Sequence, residues 1–167
     1  SVVVVEVDGT PAGVLGIRDE LRPEAAAAVQ ALADQGMWSV MLTGDQEVTA
    51  QAIAAQAGIP SDRVWAGQLP ADKARVVAEL VDKSPTAMIG DGINDAPALA
   101  AATVGIAMGV TGSDAAIESA DVAFTGSDVR LIPVALAHAR RGRRIMTGNI
   151  GLALAIIVGL FPLALFG

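Results

Sequence analysis

A six-residue turn at positions 90–95 combines the side chains that phosphoryl transfer requires. Asp91 and Asp95 offer carboxylate oxygens, which are the ligands that Mg²⁺ prefers, and Asn94 offers an amide that can donate to a phosphoryl oxygen. The two glycines of the turn allow the backbone to come close to a ligand. Taken alone, the same residues also suit a strand-to-helix turn with capping aspartates. The turn therefore predicts magnesium-dependent phosphoryl chemistry, with a structural turn as the alternative.

Two further segments place polar residues beside predicted element ends. Thr43 closes an apolar run, and its hydroxyl together with the N–H of Gly44 can hold a phosphate oxygen. The sequence Thr43-Gly44-Asp45 is also common in turns and at helix N-caps, which is the alternative interpretation. Lys73 lies one turn into a helix that Pro70 begins, where its ammonium group can neutralise a phosphoryl group. A solvated helix lysine is the alternative there.

Short apolar strands alternate with helices along the chain, which favours an α/β fold with a parallel sheet and helices on both faces. In such sheets, ligands bind beyond the carboxyl ends of the strands. The two polar segments both follow predicted strands, so they can share one site. The pattern predicts a hairpin of strands at 2–7 and 14–17, further strands at 37–42, 63–65, 86–89, 104–107 and 122–124, and helices at 24–34, 46–57, from 70, at 97–101, at 113–119 and from 128.

Charge divides the chain into two parts. Seven basic and eighteen acidic residues precede Arg140, a net charge of −11, whereas four arginines give the remainder +4. A large acidic part with one short basic cluster excludes a nucleic-acid binder by charge. The absence of cysteine excludes disulfides and thiolate metal sites within these residues.

The C-terminal segment has the composition of a membrane-spanning helix. Residues 145–167 carry no charged side chain, and no polar side chain follows Asn149. A span needs about 20 apolar residues. The arginines at 140–144 come immediately before it and suit contact with anionic lipid at the cytosolic face. A buried helix is the alternative, but no polar stripe remains to face water.

The ordered motifs resemble those of the haloacid-dehalogenase-like phosphotransferases, and within them the heavy-metal-transporting branch of the P-type cation ATPases. The resemblance covers essentially the whole chain. It is carried by DELRP at 19–23, MLTGD at 41–45, LPADK at 69–73, MIGDGINDAPAL at 88–99, VGIAMG at 104–109, TGSD at 111–114, ADV at 120–122 and RRI at 143–145, with Asn149 opening the span.

The resemblance implies a Rossmannoid parallel sheet followed by the start of a transmembrane helix, with ATP as the phosphoryl donor. It assigns Thr43 and Lys73 to phosphoryl oxygens, Asn94 to the phosphoryl group, Asp91 to Mg²⁺ and Asp95 to the rim of the metal site. The resemblance also places Gly44 and Asp45, together with Thr43, among the catalytic residues.

One departure from the family pattern concerns activity. The family's nucleophile is the aspartate of a D-K-T-G-T sequence, and this chain contains no such sequence. We therefore expect the isolated chain to be inactive. Its expected partners are the missing N-terminal part of the pump, the lipid bilayer and a transition or heavy metal cation.

The resemblance also implies an organisation in three parts. Residues 1–18 would be the last strands of a nucleotide-binding domain, residues 19–139 the C-terminal part of the phosphorylation domain, and residues 140–167 a basic juxtamembrane segment with a transmembrane helix. Residues 1–144 would lie on the cytosolic side of the plasma membrane. A membrane-anchored remnant without catalysis and, less favoured, a haloacid-dehalogenase-like phosphatase are the alternatives.

Overall fold

An antiparallel hairpin opens the chain in the computed structural model, which describes residues 2–7, 10–16, 21–90, 93–109 and 118–166. Strand β1 (Val2–Val7) pairs with β2 (Thr10–Gly16), with Val2 opposite Gly16 and Val7 opposite Thr10. The predicted hairpin is confirmed. Its second strand begins at Thr10 instead of position 14, because residues 10–13 continue the ladder with β1.

Strands and helices alternate through the rest of the chain, as the sequence predicts. Pro70 begins one helix and Gly58, in the left-handed conformation at φ 78°, ends another. The predicted helix at 113–119 falls largely outside the described residues. The elements are α1 (Ala25–Ala33), β3 (Met41–Leu42), α2 (Glu47–Ala57), β4 (Val64–Trp65), α3 (Pro70–Val81), β5 (Ala87–Gly90), α4 (Ala96–Ala101), β6 (Val104–Met108), β7 (Val122–Phe124) and α5 (Leu131–Phe166), with 3-10 turns at Ser61–Arg63 and Ile93–Asp95.

The strands after the hairpin are parallel, which confirms the predicted sheet type, but they form two separate sheets. In the first, β3 pairs with β4, with Met41 opposite Val64. In the second, the strand order is β5-β6-β7. The predicted strand at 37–42 is reduced to Met41–Leu42, because β4, its partner, is only two residues long.

Helices cover both faces of these strands. On one face, α3 and α4 pack on β5 through a buried cluster of Val77, Met88, Ala98 and Leu99. On the other face, Ile132 of α5 packs with Ile106 and Met108 of β6, and Leu32 of α1 lies against the same cluster. The arrangement is the α/β fold with helices on both faces that the sequence predicts.

Helix α5 is long and apolar enough to cross a membrane, and the apolar 18-residue stretch that meets this criterion buries none of its residues. Its first turns are held to α1. The Gln35 amide donates to the carbonyl of Pro133 at 3.0 Å, and the Arg140 guanidinium donates to the carbonyl of Gln35 at 2.8 Å. The start of α5 is thereby attached to the domain while its apolar part extends away from it.

An exposed ion pair precedes α5. The Arg130 guanidinium donates to the Asp128 carboxylate at 2.8 Å, and the Arg130 backbone N–H donates to the same carboxylate at 3.0 Å. These bonds hold the pKa of Asp128 below its ordinary value of 3.8. The carboxylate in turn raises the pKa of Arg130.

We expect Arg130→Gln to raise the pKa of Asp128 part of the way to 3.8, since the backbone N–H remains. A lowered folded-state pKa means that this carboxylate stabilises the fold above about pH 4 and that the stabilisation is lost as pH falls through the lowered value. NMR titration of the carboxyl carbon, with the chain in lipid nanodiscs, measures the pKa. Arg75→Gln, which removes an arginine paired elsewhere, is the control. An unchanged Asp128 pKa in Arg130→Gln would contradict the assignment.

Candidate active site

The centre of the candidate site is an ion pair between Lys73 and Asp95. The Lys73 Nζ donates to Asp95 Oδ1 at 2.8 Å, and the two side chains are 16% and 13% exposed. Lys73 lies in the first turn of α3, which follows β4, and Asp95 lies in the 3-10 turn that follows β5. The pair therefore joins the carboxyl ends of strands from both parallel sheets.

Gly90 makes room for the carboxylate of this pair. A Cβ built at Gly90 would lie 2.7 Å from the Cβ of Asp95 and 2.9 Å from its Oδ2. No side chain fits there unless Asp95 moves. The last residue of β5 must therefore be glycine for Asp95 to reach Lys73, and this requirement explains the first glycine of the 90–95 turn.

Thr43 and Asp45 form a closed turn after β3. The Thr43 hydroxyl donates to Asp45 Oδ2 at 2.9 Å and accepts from the Asp45 backbone N–H at 3.1 Å. The turn is tied to the loop before α3, because the Gln68 N–H donates to the Thr43 carbonyl at 2.9 Å and the Gly67 N–H donates to the Asp45 carbonyl at 2.8 Å. Both side chains are half-buried.

The structure connects the Thr43 turn to the segment that carries Lys73. Loop 67–69, which is hydrogen-bonded to the Thr43 turn, follows β4 and leads directly into the helix that carries Lys73. Gly44 and Asn94 are exposed there. Asp91, the predicted Mg²⁺ ligand, lies outside the described residues.

The donor set for Mg²⁺ is incomplete in the described part of the chain. No group of three or more His, Cys, Asp or Glu side chains within the described ranges is arranged to hold a metal ion. Asp95 is engaged by Lys73 through one oxygen and packs against Gly90 through the other. A magnesium site at this edge would therefore depend on Asp91, and metal binding by Asp91 or Asp95 stays a prediction.

Two residues of the region were missed by sequence reasoning. Asp72 accepts from the Leu69 backbone N–H at 3.2 Å and caps the helix that presents Lys73. An acidic residue at the third helical position, after a proline at the first, is a recognisable signal of a helix start. Gln68 holds a buried Oε1 that has no hydrogen-bond partner among the described residues. No local sequence signal identifies that atom.

Comparison with known proteins identifies the family. Residues 1–103 match the haloacid dehalogenase-like hydrolases. The chain therefore belongs to the haloacid dehalogenase-like hydrolase family, and its relatives within it are cation-transporting P-type ATPases. It is 58% identical over 165 residues to the probable cation-transporting ATPase G of Mycobacterium tuberculosis, and 42% identical over 168 residues to a copper-exporting P-type ATPase of Staphylococcus haemolyticus.

Solved structures give the same result. A crystal structure of a zinc-transporting PIB-type ATPase matches 99% of this chain with a TM-score of 0.83 and 40% identity, over 27% of its own length. The alignments with these two relatives cover 99% and 100% of this chain, but only 21% of the length of each relative. The chain thus spans about a fifth of those relatives. The resemblance to heavy-metal P-type ATPases is confirmed.

We expect Gly90→Ala to destabilise the fold by about 1–3 kcal/mol, because the added methyl group overlaps Asp95 at a buried position at the end of β5. Gly126→Ala is the matched control, since a Cβ at Gly126 meets nothing within 4 Å. Urea unfolding of the two variants and the parent chain in nanodiscs measures the difference. Equal stability of Gly90→Ala and Gly126→Ala would show that Asp95 does not need the space.

Proposed function

We propose that this chain forms part of the phosphorylation domain of an ATP-driven heavy-metal cation pump. The observation that carries the proposal is the shielded Lys73–Asp95 pair at the carboxyl ends of parallel strands. A half-buried lysine at such an edge is held where an anionic ligand of an α/β sheet binds. The names of the relatives, which are cation-transporting and copper-exporting ATPases, support the transport function.

Each residue of the site has a distinct part in this proposal. The Lys73 ammonium group offsets negative charge on the phosphoryl group, and Asp95 keeps that ammonium group in place before the ligand arrives. When the ligand binds, the Thr43 hydroxyl donates its hydrogen bond to a phosphoryl oxygen instead of to Asp45. Loop 67–69 holds the Thr43 turn in position through its hydrogen bonds. Gly44 and Asn94 are the exposed donors beside them. Bound Mg²⁺ would supply further charge neutralisation, with Asp91 as its principal ligand.

The acceptor of the phosphoryl group lies outside residues 1–167. ATP is the proposed donor, and an aspartate of a D-K-T-G-T sequence in the longer protein is the proposed acceptor, since this sequence contains no such motif. Covalent catalysis needs that nucleophile. We therefore expect the isolated chain to form no acid-stable phosphoenzyme with labelled ATP.

The membrane arrangement follows from α5. We propose that its apolar part spans the bilayer of the plasma membrane and that residues 1–144 are cytosolic, with the arginines at 140–144 at the lipid headgroups. Residues 1–18, 19–139 and 140–167 are then the end of the nucleotide domain, the phosphorylation-domain part and the membrane segment. For the transported ion we propose only its class, a transition or heavy metal cation.

Lys73→Ala in the complete pump should slow phosphoenzyme formation by about 10²–10³-fold, the usual effect of removing one preorganised charge-stabilising group. Rapid-quench measurement of labelled ATP incorporation gives the rate. Lys83→Ala, at an exposed lysine just after the same helix, should label at the parent rate. Labelling of Lys73→Ala at the parent rate would overturn the role of Lys73 and the proposed function with it.

Asp95→Asn separates the positioning of Lys73 from metal binding. If Asp95 holds Lys73, the substitution lowers the maximal rate but leaves unchanged the Mg²⁺ concentration that gives half the maximal rate. Asp91→Asn should instead raise that concentration, because it removes a proposed ligand. If Asp95→Asn instead raises the Mg²⁺ concentration that gives half the maximal rate, Asp95 is a metal ligand and does not act by positioning Lys73.

A further inference from the structure

The face of α5 that packs on the domain continues into a group of arginines. Ile132 and Leu136 share an apolar cluster with Leu32 of α1. Four residues after Leu136, the Arg140 guanidinium donates to a backbone carbonyl just after α1 at 2.8 Å. Because residues four positions apart lie on one face of a helix, these three residues of α5 form a single row. Residues 137–161 are all exposed, so the next turns of this row extend beyond the domain.

Two more arginines follow on the same side of α5. Arg143 and Arg144 lie three and four positions after Arg140, a spacing that places all three side chains on one side of the helix. Arg141 is about 100° around the helix from Arg140 and lies outside this group. Arg144 is also the last charged residue of the sequence. We call Arg140, Arg143 and Arg144 the arginine face, which lies between the domain and the proposed membrane span.

The arginine face is unpaired although the chain has more acidic than basic residues. The sequence holds 18 acidic and 11 lysine or arginine side chains. Within the described ranges, the ion pairs lie elsewhere and none of them engages the arginine face. Arg143 and Arg144 form no side-chain hydrogen bond in those ranges either. Arg140 donates through one N–H of its guanidinium and keeps the others for a further acceptor. The face can therefore bind an anion from outside the chain.

We propose that the arginine face binds the phosphate of one anionic phospholipid, and that the bound lipid strengthens the attachment of α1 to α5. Guanidinium groups bind phosphate through paired N–H···O bonds. Basic residues next to a span are attracted to anionic lipid. The part of the chain before Arg140 is strongly acidic, so an anionic bilayer repels it, and the arginine face offsets that repulsion at one place. The proposal rests on the proposed membrane arrangement but not on phosphoryl transfer.

Arg140 connects the bound lipid to the domain. Its guanidinium donates to the carbonyl of Gln35, whose side-chain amide donates to the carbonyl of Pro133 at 3.0 Å. An arginine side chain loses conformational entropy when either partner holds it. A phosphate that already orders Arg140 removes this cost from the bond to Gln35, and the bond favours the phosphate in return. We therefore expect the C-terminal end of α1 to open less often when the lipid is bound.

Native mass spectrometry of the chain released from nanodiscs tests the site. The discs hold equal amounts of phosphatidylcholine and phosphatidylglycerol with the same acyl chains, and only the second lipid has a net negative charge. We expect the parent chain to retain phosphatidylglycerol preferentially. Arg143→Gln should lower the retained ratio of phosphatidylglycerol to phosphatidylcholine at least about fivefold, the effect of one arginine near a membrane surface.

Matched controls separate a site from general attraction. Arg141→Gln removes the same charge at nearly the same depth but off the arginine face, so it should lower the ratio less than about twofold. Excess inorganic phosphate should leave the ratio unchanged, because the acyl chains keep the lipid in the bilayer. The ratio is measured within each variant, so it does not depend on how much of that variant folds.

Amide hydrogen exchange tests the effect on the domain. The Met37 N–H donates to the Leu32 carbonyl at 3.0 Å at the end of α1, and the Ile59 N–H donates to the Ala54 carbonyl at 2.9 Å at the end of α2. Both amides follow a glycine with a left-handed backbone. Phosphatidylglycerol should slow exchange at Met37 by about threefold, the effect of a ligand at about twice its Kd, and leave Ile59 unchanged. In Arg143→Gln the slowing should disappear.

Several results would contradict the proposal. Equal loss in Arg141→Gln and Arg143→Gln would show general attraction to a basic segment. Displacement by inorganic phosphate would assign the face to a soluble anion. Dimers that Arg143→Gln dissociates, without retained phosphatidylglycerol, would assign it to the acidic surface of a second copy. Equal slowing at Met37 and Ile59, or none at Met37, would disprove the effect on α1.

Failure of the membrane arrangement has a different signature. A chain that does not enter nanodiscs contradicts the proposed span, whereas a chain that enters them without a preference for phosphatidylglycerol contradicts only the lipid site. None of these measurements involves ATP or Lys73, so they also leave the proposed phosphoryl chemistry to its own tests.

Discussion

The contact between Lys73 and Asp95 is the constraint on which the rest of the site depends. The two charges are mostly shielded from water, and each would carry a large desolvation cost without the other. Their pairing fixes the start of α3 relative to the end of β5. Gly90 has no side chain because Asp95 needs that space. The Thr43 turn is then aligned with the same edge, since its hydrogen bonds run to the loop that leads into α3.

This contact also explains how two separate sheets form one domain. No strand pairing joins β3 to β5 in the described residues, so their relative position is set by the helices and by the ion pair. On one face Leu42 of β3 packs on the cluster of α3, α4 and β5. On the other, α1 and α5 pack on β6.

Local signals account for most of what the sequence predicts. Pro70, Gly58 and the apolar alternation identify helix ends and strands because they act through their own backbone positions. The length of β3 is not a local property. Residues 37–40 have an apolar strand pattern, but a strand needs a ladder, and β4 offers partners only for Met41 and Leu42. The pairing of Lys73 with Asp95, 22 positions apart, likewise arises from tertiary packing. The sequence therefore indicates candidate site residues, whereas the partners of those residues depend on tertiary packing.

The continuity of α5 relates the site to the proposed membrane span. A helix of 36 residues is about 54 Å long, whereas a span requires about 30 Å. The first turns, which begin at Leu131, are attached to the domain by hydrogen bonds of Gln35 and Arg140. These bonds reach the C-terminal end of α1, and α1 packs against α2, which begins directly after the Thr43 turn. A displacement of the Thr43 turn can therefore be transmitted through the packing of α2 on α1 to the first turns of α5.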